Sequence, residues 1–98
     1  MRKFEDLIKS PIPVLVDFTA QWCGPCKAMR PILEDVKKQL GDRVRIIKID
    51  VDQFSELAQQ YRIQSVPTFI LFKNGDKLWR QSGLIQADQL KEMIEQNE

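Results

Sequence analysis

The spacing of apolar residues changes several times along this chain, and each change marks an element. Phe4, Leu7 and Ile8 recur at i, i+3 and i+4, which predicts a short amphipathic helix. Ser10-Pro11-Ile12-Pro13 ends it, because proline cannot continue a helix and biases its predecessor toward extended backbone. Val14-Leu15-Val16-Asp17-Phe18 is a near-continuous apolar run, the pattern of a strand buried on both faces. From residue 25 to 40 the period turns helical, with Met29, Ile32, Leu33, Val36 and Leu40 on one side. Pro31 falls inside that helix and is expected to bend it. Gly41-Asp42 closes it, and residues 44–51 predict a second strand. Strand, helix and strand make a right-handed crossover with parallel strands.

A third helix is expected at roughly 54–62, with Phe54, Leu57, Ala58 and Tyr61 on its packed side and Asp52 or Ser55 as its cap. Residues 68–72 and 77–81 are strand-like and flank Asn74-Gly75, the strongest short-range signal for a tight antiparallel hairpin. Gly83 breaks the second arm. Residues 88–96 read as a closing helix with Leu90, Met93 and Ile94 facing inward. The order α-β-α-β-α-β-β-α predicts an α/β fold, a four-stranded mixed sheet with helices on both faces.

The 98 residues suit one domain, 1–98. Fifteen basic residues against 14 acidic ones give no long-range pull toward nucleic acid or an anionic membrane. No stretch approaches the roughly 20 apolar residues of a membrane span. Acidic residues interrupt the N-terminus before any apolar leader core forms, so a cytoplasmic location is expected. The chain has no histidine, which excludes Ser-His and Cys-His catalysis and His-ligated zinc. Proton transfer must then use Asp, Glu, Lys, Cys or water.

The only two cysteines stand in Trp22-Cys23-Gly24-Pro25-Cys26, between the first strand and the long helix. Such a pair is one unit of two-electron chemistry: a thiolate attacks a substrate disulfide, and a second thiol resolves the mixed disulfide. Cys23 is expected at the helix N-terminus, where unpaired N–H groups and the helix dipole favour an anion and lower the thiol pKa. Cys26 is expected to be less exposed and to resolve. Pro25 fits the first turn, where its missing N–H is harmless. The uncharged Gly-Pro pair implies a mild pKa shift and a strong reductant. A purely structural disulfide would close a trivial loop, and two cysteines supply only half of a tetrahedral metal site.

Asp17 interrupts an apolar strand six residues before Cys23. It is either an edge aspartate reaching water or a buried carboxyl, raised in pKa by desolvation and able to take the Cys26 proton through a water. Lys48 breaks the apolar run of the neighbouring strand. It is either a surface lysine or a cation that opposes the desolvation of Asp17. Asp50 and Asp52 read as a solvated strand end and a cap. Trp22 borders the site and reads as contact surface; Trp79 reads as packing. Val66-Pro67 at a strand start admits either proline isomer.

Taken together, residues 16–27, Pro31, Val66-Pro67-Thr68 and Lys73-Asn74-Gly75 closely resemble the thioredoxin family. The resemblance implies that Cys23 is the nucleophile, Cys26 the resolving thiol, Asp17 the buried acid, Lys48 its partner and Pro67 a cis-proline. It also implies that Trp22, Gly24, Pro25, Val66, Pro67, Gly83 and Leu84 form a shallow groove for extended substrate peptide. The implied activity is reduction of disulfide-containing protein substrates. Electrons would come from an NADPH-dependent flavin thioredoxin reductase, the chain would need no bound cofactor, and it would act as a monomer. Thr19 stands where the family carries a bulky aromatic. Family members also open with a strand before the first helix, whereas about three residues precede it here. The sheet is therefore expected in the order 44–51, 14–19, 68–73, 76–82, with 44–51 an exposed edge guarded by Arg43 and Arg45. A strand over residues 1–5 would refute this. Two other readings compete: a binding module whose affinity is tuned by redox state, and an extracytoplasmic exchange protein.

Overall fold

The computed structural model describes residues 3–98. Helix α1, Phe4–Ile8, leads to strand β1, Val14–Thr19, and then to the long helix α2, Gly24–Leu40. A 3-10 turn at Gly41–Arg43 feeds strand β2, Arg45–Asp50. Helix α3, Ser55–Gln60, strands β3, Thr68–Lys73, and β4, Asp76–Ser82, and helix α4, Ala87–Gln96, complete the order. The four strands lie in the order β2-β1-β3-β4. β1 and β2 are parallel; β3 is antiparallel to both β1 and β4. The mixed sense is what the strand-helix-strand and Asn74-Gly75 patterns predict, and the order is the one the thioredoxin resemblance implies.

Side-chain alternation along β1 divides the core in two. Leu15 packs on the α2 and α4 side with Met29, Leu33, Val36, Phe69, Leu71, Leu90 and Ile94. Val14, Val16 and Phe18 face the other way, with Ile70, Phe72 and Ile8. On that second side Phe4, Tyr61 and Phe72 meet edge-to-face, with ring centroids 5.6 to 5.8 Å apart. Asp17 shares its parity with Leu15 and so lies beneath α2.

The hairpin turns where Asn74 and Gly75 both take positive φ, 54° and 85°, which two-residue turns between twisted strands require. Its tip is tied back: the N–H groups of Asn74 and Gly75 donate to the carbonyls of Ser10 and Ile8. Helix α2 runs on through Pro31, which sits on its exposed side at the loss of one backbone bond.

Several boundaries differ from the expectation. β2 is shorter than 44–51 at both ends, because Val44 leaves the 3-10 turn with its carbonyl held by Lys37 Nζ, and the chain turns at Val51. α3 spans six residues, and neither Asp52 nor Ser55 caps it. Asp50 Oδ1 accepts from the N–H groups of Asp52 and Gln53 instead, which closes the turn before the helix starts. Phe54 is consequently 41% exposed, not packed. Among the described residues no strand precedes α1; residues 1–2 of the span that would test a fifth strand lie outside them.

Candidate functional site

β1 delivers the chain to the start of α2, where the Cys23 N–H turns back to the Ala20 carbonyl at 3.3 Å. Cys23 is the N-cap of α2, with extended backbone, and Gly24 and Pro25 open the helix. Cys23 and Cys26 are joined as a disulfide with Cα atoms 5.3 Å apart, so this is the oxidised form of the pair. Cys23 Sγ accepts the Cys26 N–H at 3.1 Å and lies 3.5 Å from the Val66 carbonyl oxygen. The first contact is one that a thiolate would strengthen, since a helix N-terminus offers unpaired N–H groups and positive potential.

Exposure does not separate the sulfurs as expected. Cys23 is 3% exposed and Cys26 6%, both packed with Ala20, Val51 and Val66. The loop at Val66, remote in sequence, covers a residue that the helix start alone would leave open. The difference between the two cysteines is one of position: Cys23 receives the N–H, and Cys26 supplies it.

Asp17 is 3% exposed, and its Oδ1 finds no hydrogen-bond partner. Burial pushes the carboxyl from 3.8 up to about 6, and the charge of Lys48 pulls the other way. Lys48 is the direct register partner of Asp17 across the parallel β1–β2 pair. The two alternatives for Lys48 therefore merge: its side chain is exposed at the sheet edge, and its charge still reaches the buried carboxyl.

The Val66–Pro67 peptide is cis. The Pro67 carbonyl accepts from the Gly83 N–H at 2.9 Å, and Gly83 holds φ at 91°, a conformation that a Cβ would strain. Thr68 Oγ1 bonds both the Ser65 carbonyl and Ser82 Oγ at 2.7 Å, fixing this loop against β4. Contacts thus run from Cys23 through Val66 and Pro67 to Gly83. Trp22 and Leu84 flank that line in sequence and are 70% and 58% exposed; Gly24 and Pro25 are exposed between them. Trp79 is half-buried against the α2–α4 core.

Sequence reasoning missed Asp52. Its Oδ2 accepts the Trp22 indole N–H at 2.9 Å, across 30 residues. The Asp50-Val51-Asp52 spacing reads as a solvated strand end; nothing local marks the second carboxylate as an indole anchor. Among the described residues no three or more His, Cys, Asp or Glu side chains gather as a metal site, and no helix is long and apolar enough to cross a membrane.

The thioredoxin family model matches residues 1–96. The chain is 48% identical over 93 residues to a chloroplastic thioredoxin Y of Oryza sativa, covering 94% of this chain and 55% of that protein. It is 50% identical over 91 residues to a thioredoxin-like protein of Synechocystis sp., covering 93% of this chain and 87% of that one. The chain thus spans little more than half the length of its rice relative. Among solved structures, the oxidised mitochondrial thioredoxin 3 of Saccharomyces cerevisiae superposes with a TM-score of 0.85 at 35% identity, covering 95% of this chain and 86% of that one. Several relatives, the rice protein among them, are chloroplastic by name, which overturns the cytoplasmic expectation. That expectation rested on Glu5 and Asp6, which interrupt the N-terminal run, and a domain shared by chloroplastic and bacterial relatives does not carry its compartment in its core.

Proposed function

This chain belongs to the thioredoxin family, and on that premise we propose that it reduces protein disulfides by dithiol–disulfide exchange, Cys23 attacking and Cys26 resolving. The observation that carries the assignment of roles is the N–H of Cys26 directed at Cys23 Sγ, at the positive end of a 17-residue helix.

In the reduced chain, the Cys23 thiolate attacks one sulfur of a substrate disulfide. A Cys23–substrate bond forms, the substrate S–S bond breaks, and the first substrate thiolate leaves and takes a proton from water. Cys26 then loses its proton and attacks Cys23 Sγ. The Cys23–Cys26 disulfide closes, the second substrate thiolate departs, and two electrons have passed to the substrate. Asp17 receives the Cys26 proton through a water. A carboxyl at about 6 is ionised near neutrality yet basic enough to hold that proton briefly. The charge of Lys48 favours the ionised form against the larger effect of burial.

Substrate lies extended over the surface from Trp22 and Gly24-Pro25 to Val66-Pro67 and Gly83-Leu84. The exposed apolar groups of Trp22 and Leu84 support this reading, as does the fixed backbone between them. The oxidised pair returns to the dithiol by electron transport from an NADPH-dependent flavin thioredoxin reductase. The unit that runs this cycle is one domain over residues 1–98, acting as a monomer.

Reduction of an insulin-type interchain disulfide, supplied with electrons by dithiothreitol or a matched reductase, tests this. The native chain accelerates it, Cys23→Ser abolishes turnover, and Cys26→Ser accumulates a mixed disulfide through Cys23. Turnover that survives Cys23→Ser, or trapping through position 26, overturns the assignment. A partner that binds the Cys23→Ser, Cys26→Ser double variant as tightly as the native chain would favour the redox-tuned binding module.

A further inference from the structure

β2 is the last strand on its side of the sheet. The N–H groups of Arg45 and Val51 donate to the carbonyls of Pro13 and Thr19, both at 2.9 Å, so odd-numbered residues here turn their backbone toward β1. Val44, Ile46, Lys48 and Asp50 turn theirs outward. The two ends of that outer row are engaged. The Val44 carbonyl accepts from Lys37 Nζ at 2.7 Å, and the Asp50 carbonyl accepts from the Phe54 N–H at 2.9 Å. At the centre, the N–H and C=O groups of Ile46 and Lys48 have no partner on the outer side among the described residues.

A depression flanks this edge on each face of the sheet. On the α2 side, one of about 410 Å³ is lined by Arg30, Lys37, Arg45 and Lys48, with Ile46 and a single acid, Glu34. The ion pairs among the described residues join Arg43 to Glu95 and Glu98, and none involves these four cations. On the opposite face, one of about 740 Å³ has Phe4, Leu7, Ile49, Phe54 and Leu57 set among polar residues that include Glu5 and Glu56, and its rim carries Phe54 exposed.

We propose that the outer edge of β2 docks an extended segment of a partner protein in which acidic and apolar residues alternate, added as a further strand. Backbone pairing with Ile46 and Lys48 supplies the register. Side chains of an added strand alternate between faces, so acids on one parity meet the four cations and apolar groups on the other meet the Ile49 depression. The six residues of β2 set the length of the segment, about 20 Å at roughly 3.3 Å per residue. A second copy of this chain is a poor occupant. The two-fold pairing that would satisfy Ile46 and Lys48 of both copies brings both sets of cations to one seam. This surface is independent of the sulfur chemistry, so the two proposals stand or fall separately.

The test uses a fluorescent, cysteine-free hexapeptide alternating Glu with Val or Ile, titrated with the oxidised 98-residue chain at low ionic strength. Anisotropy and amide hydrogen exchange are read together. Saturable binding is expected, with exchange at the Ile46 and Lys48 amides slowed at least about tenfold and the Trp22 indole resonance unmoved. Replacing Glu by Lys in the peptide, methylating its alternate amides, or introducing Arg30→Glu with Arg45→Glu should each weaken binding at least about tenfold. Lys77→Glu, on the opposite edge strand, should change it less than about twofold. Absence of binding at millimolar peptide overturns the proposal. So does binding that survives amide methylation or the double charge reversal, or protection appearing at Trp22 and Leu84. Concentration-dependent self-association of the chain through β2 would give the edge to a second copy and overturn it equally.

Discussion

Replacing Asp17 by Asn removes an ionisable group that the fold holds in an unfavourable environment. Its carboxyl stands at about 6 in the native state against 3.8 unperturbed, a rise of about two units. At about 1.4 kcal/mol per unit, that difference destabilises the native state by about 3 kcal/mol once the carboxylate is ionised in both states. The sign follows from linkage. Native Asp17 binds its proton more tightly than the unfolded chain does, so the cost is absent below about pH 4, grows between about 4 and 6, and is fully present above that range. The uncharged amide of the variant carries no such cost. The stability difference between Asp17→Asn and the native chain should therefore climb from near zero at about pH 4 to about 2–3 kcal/mol in favour of the variant at about pH 8. For a domain of this size that is a rise of about 10–20 °C in Tm. Urea unfolding of both oxidised proteins, at intervals across that range, reads it directly. A pH-independent difference, or a variant less stable at about pH 8, would refute the reasoning. The unpartnered Oδ1 sharpens the expectation, because substitution breaks no hydrogen bond at that atom.

Three further outcomes are expected. In the reduced chain at mildly acidic pH, iodoacetamide should modify Cys23 before Cys26, because the N-cap sulfur ionises first; peptide mapping that finds Cys26 labelled first contradicts this. Asp52→Asn should weaken the anchor on the exposed Trp22 indole, shift its fluorescence and raise KM for a protein disulfide by roughly two- to tenfold at unchanged kcat, the range of about 0.5–1.5 kcal/mol for one hydrogen bond. Gly83→Ala should cost about 1–2 kcal/mol, because φ of 91° suits glycine alone, and the loss would show in a lowered urea midpoint; an unchanged midpoint would mean that the loop relaxes freely.

Sense and layering of the sheet were legible because each rests on a strong local signal, whereas the strand order came only with the family resemblance. Leu15 and Asp17 fall on one parity of an apolar strand, Met29, Leu33 and Val36 on one helical face, and Asn74-Gly75 between two strand-like runs. The candidate site was legible where chemistry is local, in the two cysteines and the helix start beside them. It was not legible where distant segments decide. Burial of Cys23 is set by Val66, 43 residues away, and the partner of Trp22 lies 30 residues away. Phe54 followed helical spacing on paper, but Asp50 closes a turn that starts α3 one residue later and leaves the ring outside. Lys48 shows the limit of a binary choice between surface and interior, since it is exposed and electrostatically coupled at once.

The sulfur pair is roofed by Val66, backed by Val51 and tied through Pro67 to Gly83, contributions from four stretches that meet only after β1, β2, β3 and β4 are in register. A partly assembled chain would own both thiols without owning their surroundings. On the role proposed for Cys23, exchange with a protein substrate is thereby a property of the finished molecule, and its onset during refolding would report, through a single atom, that the entire sheet has closed.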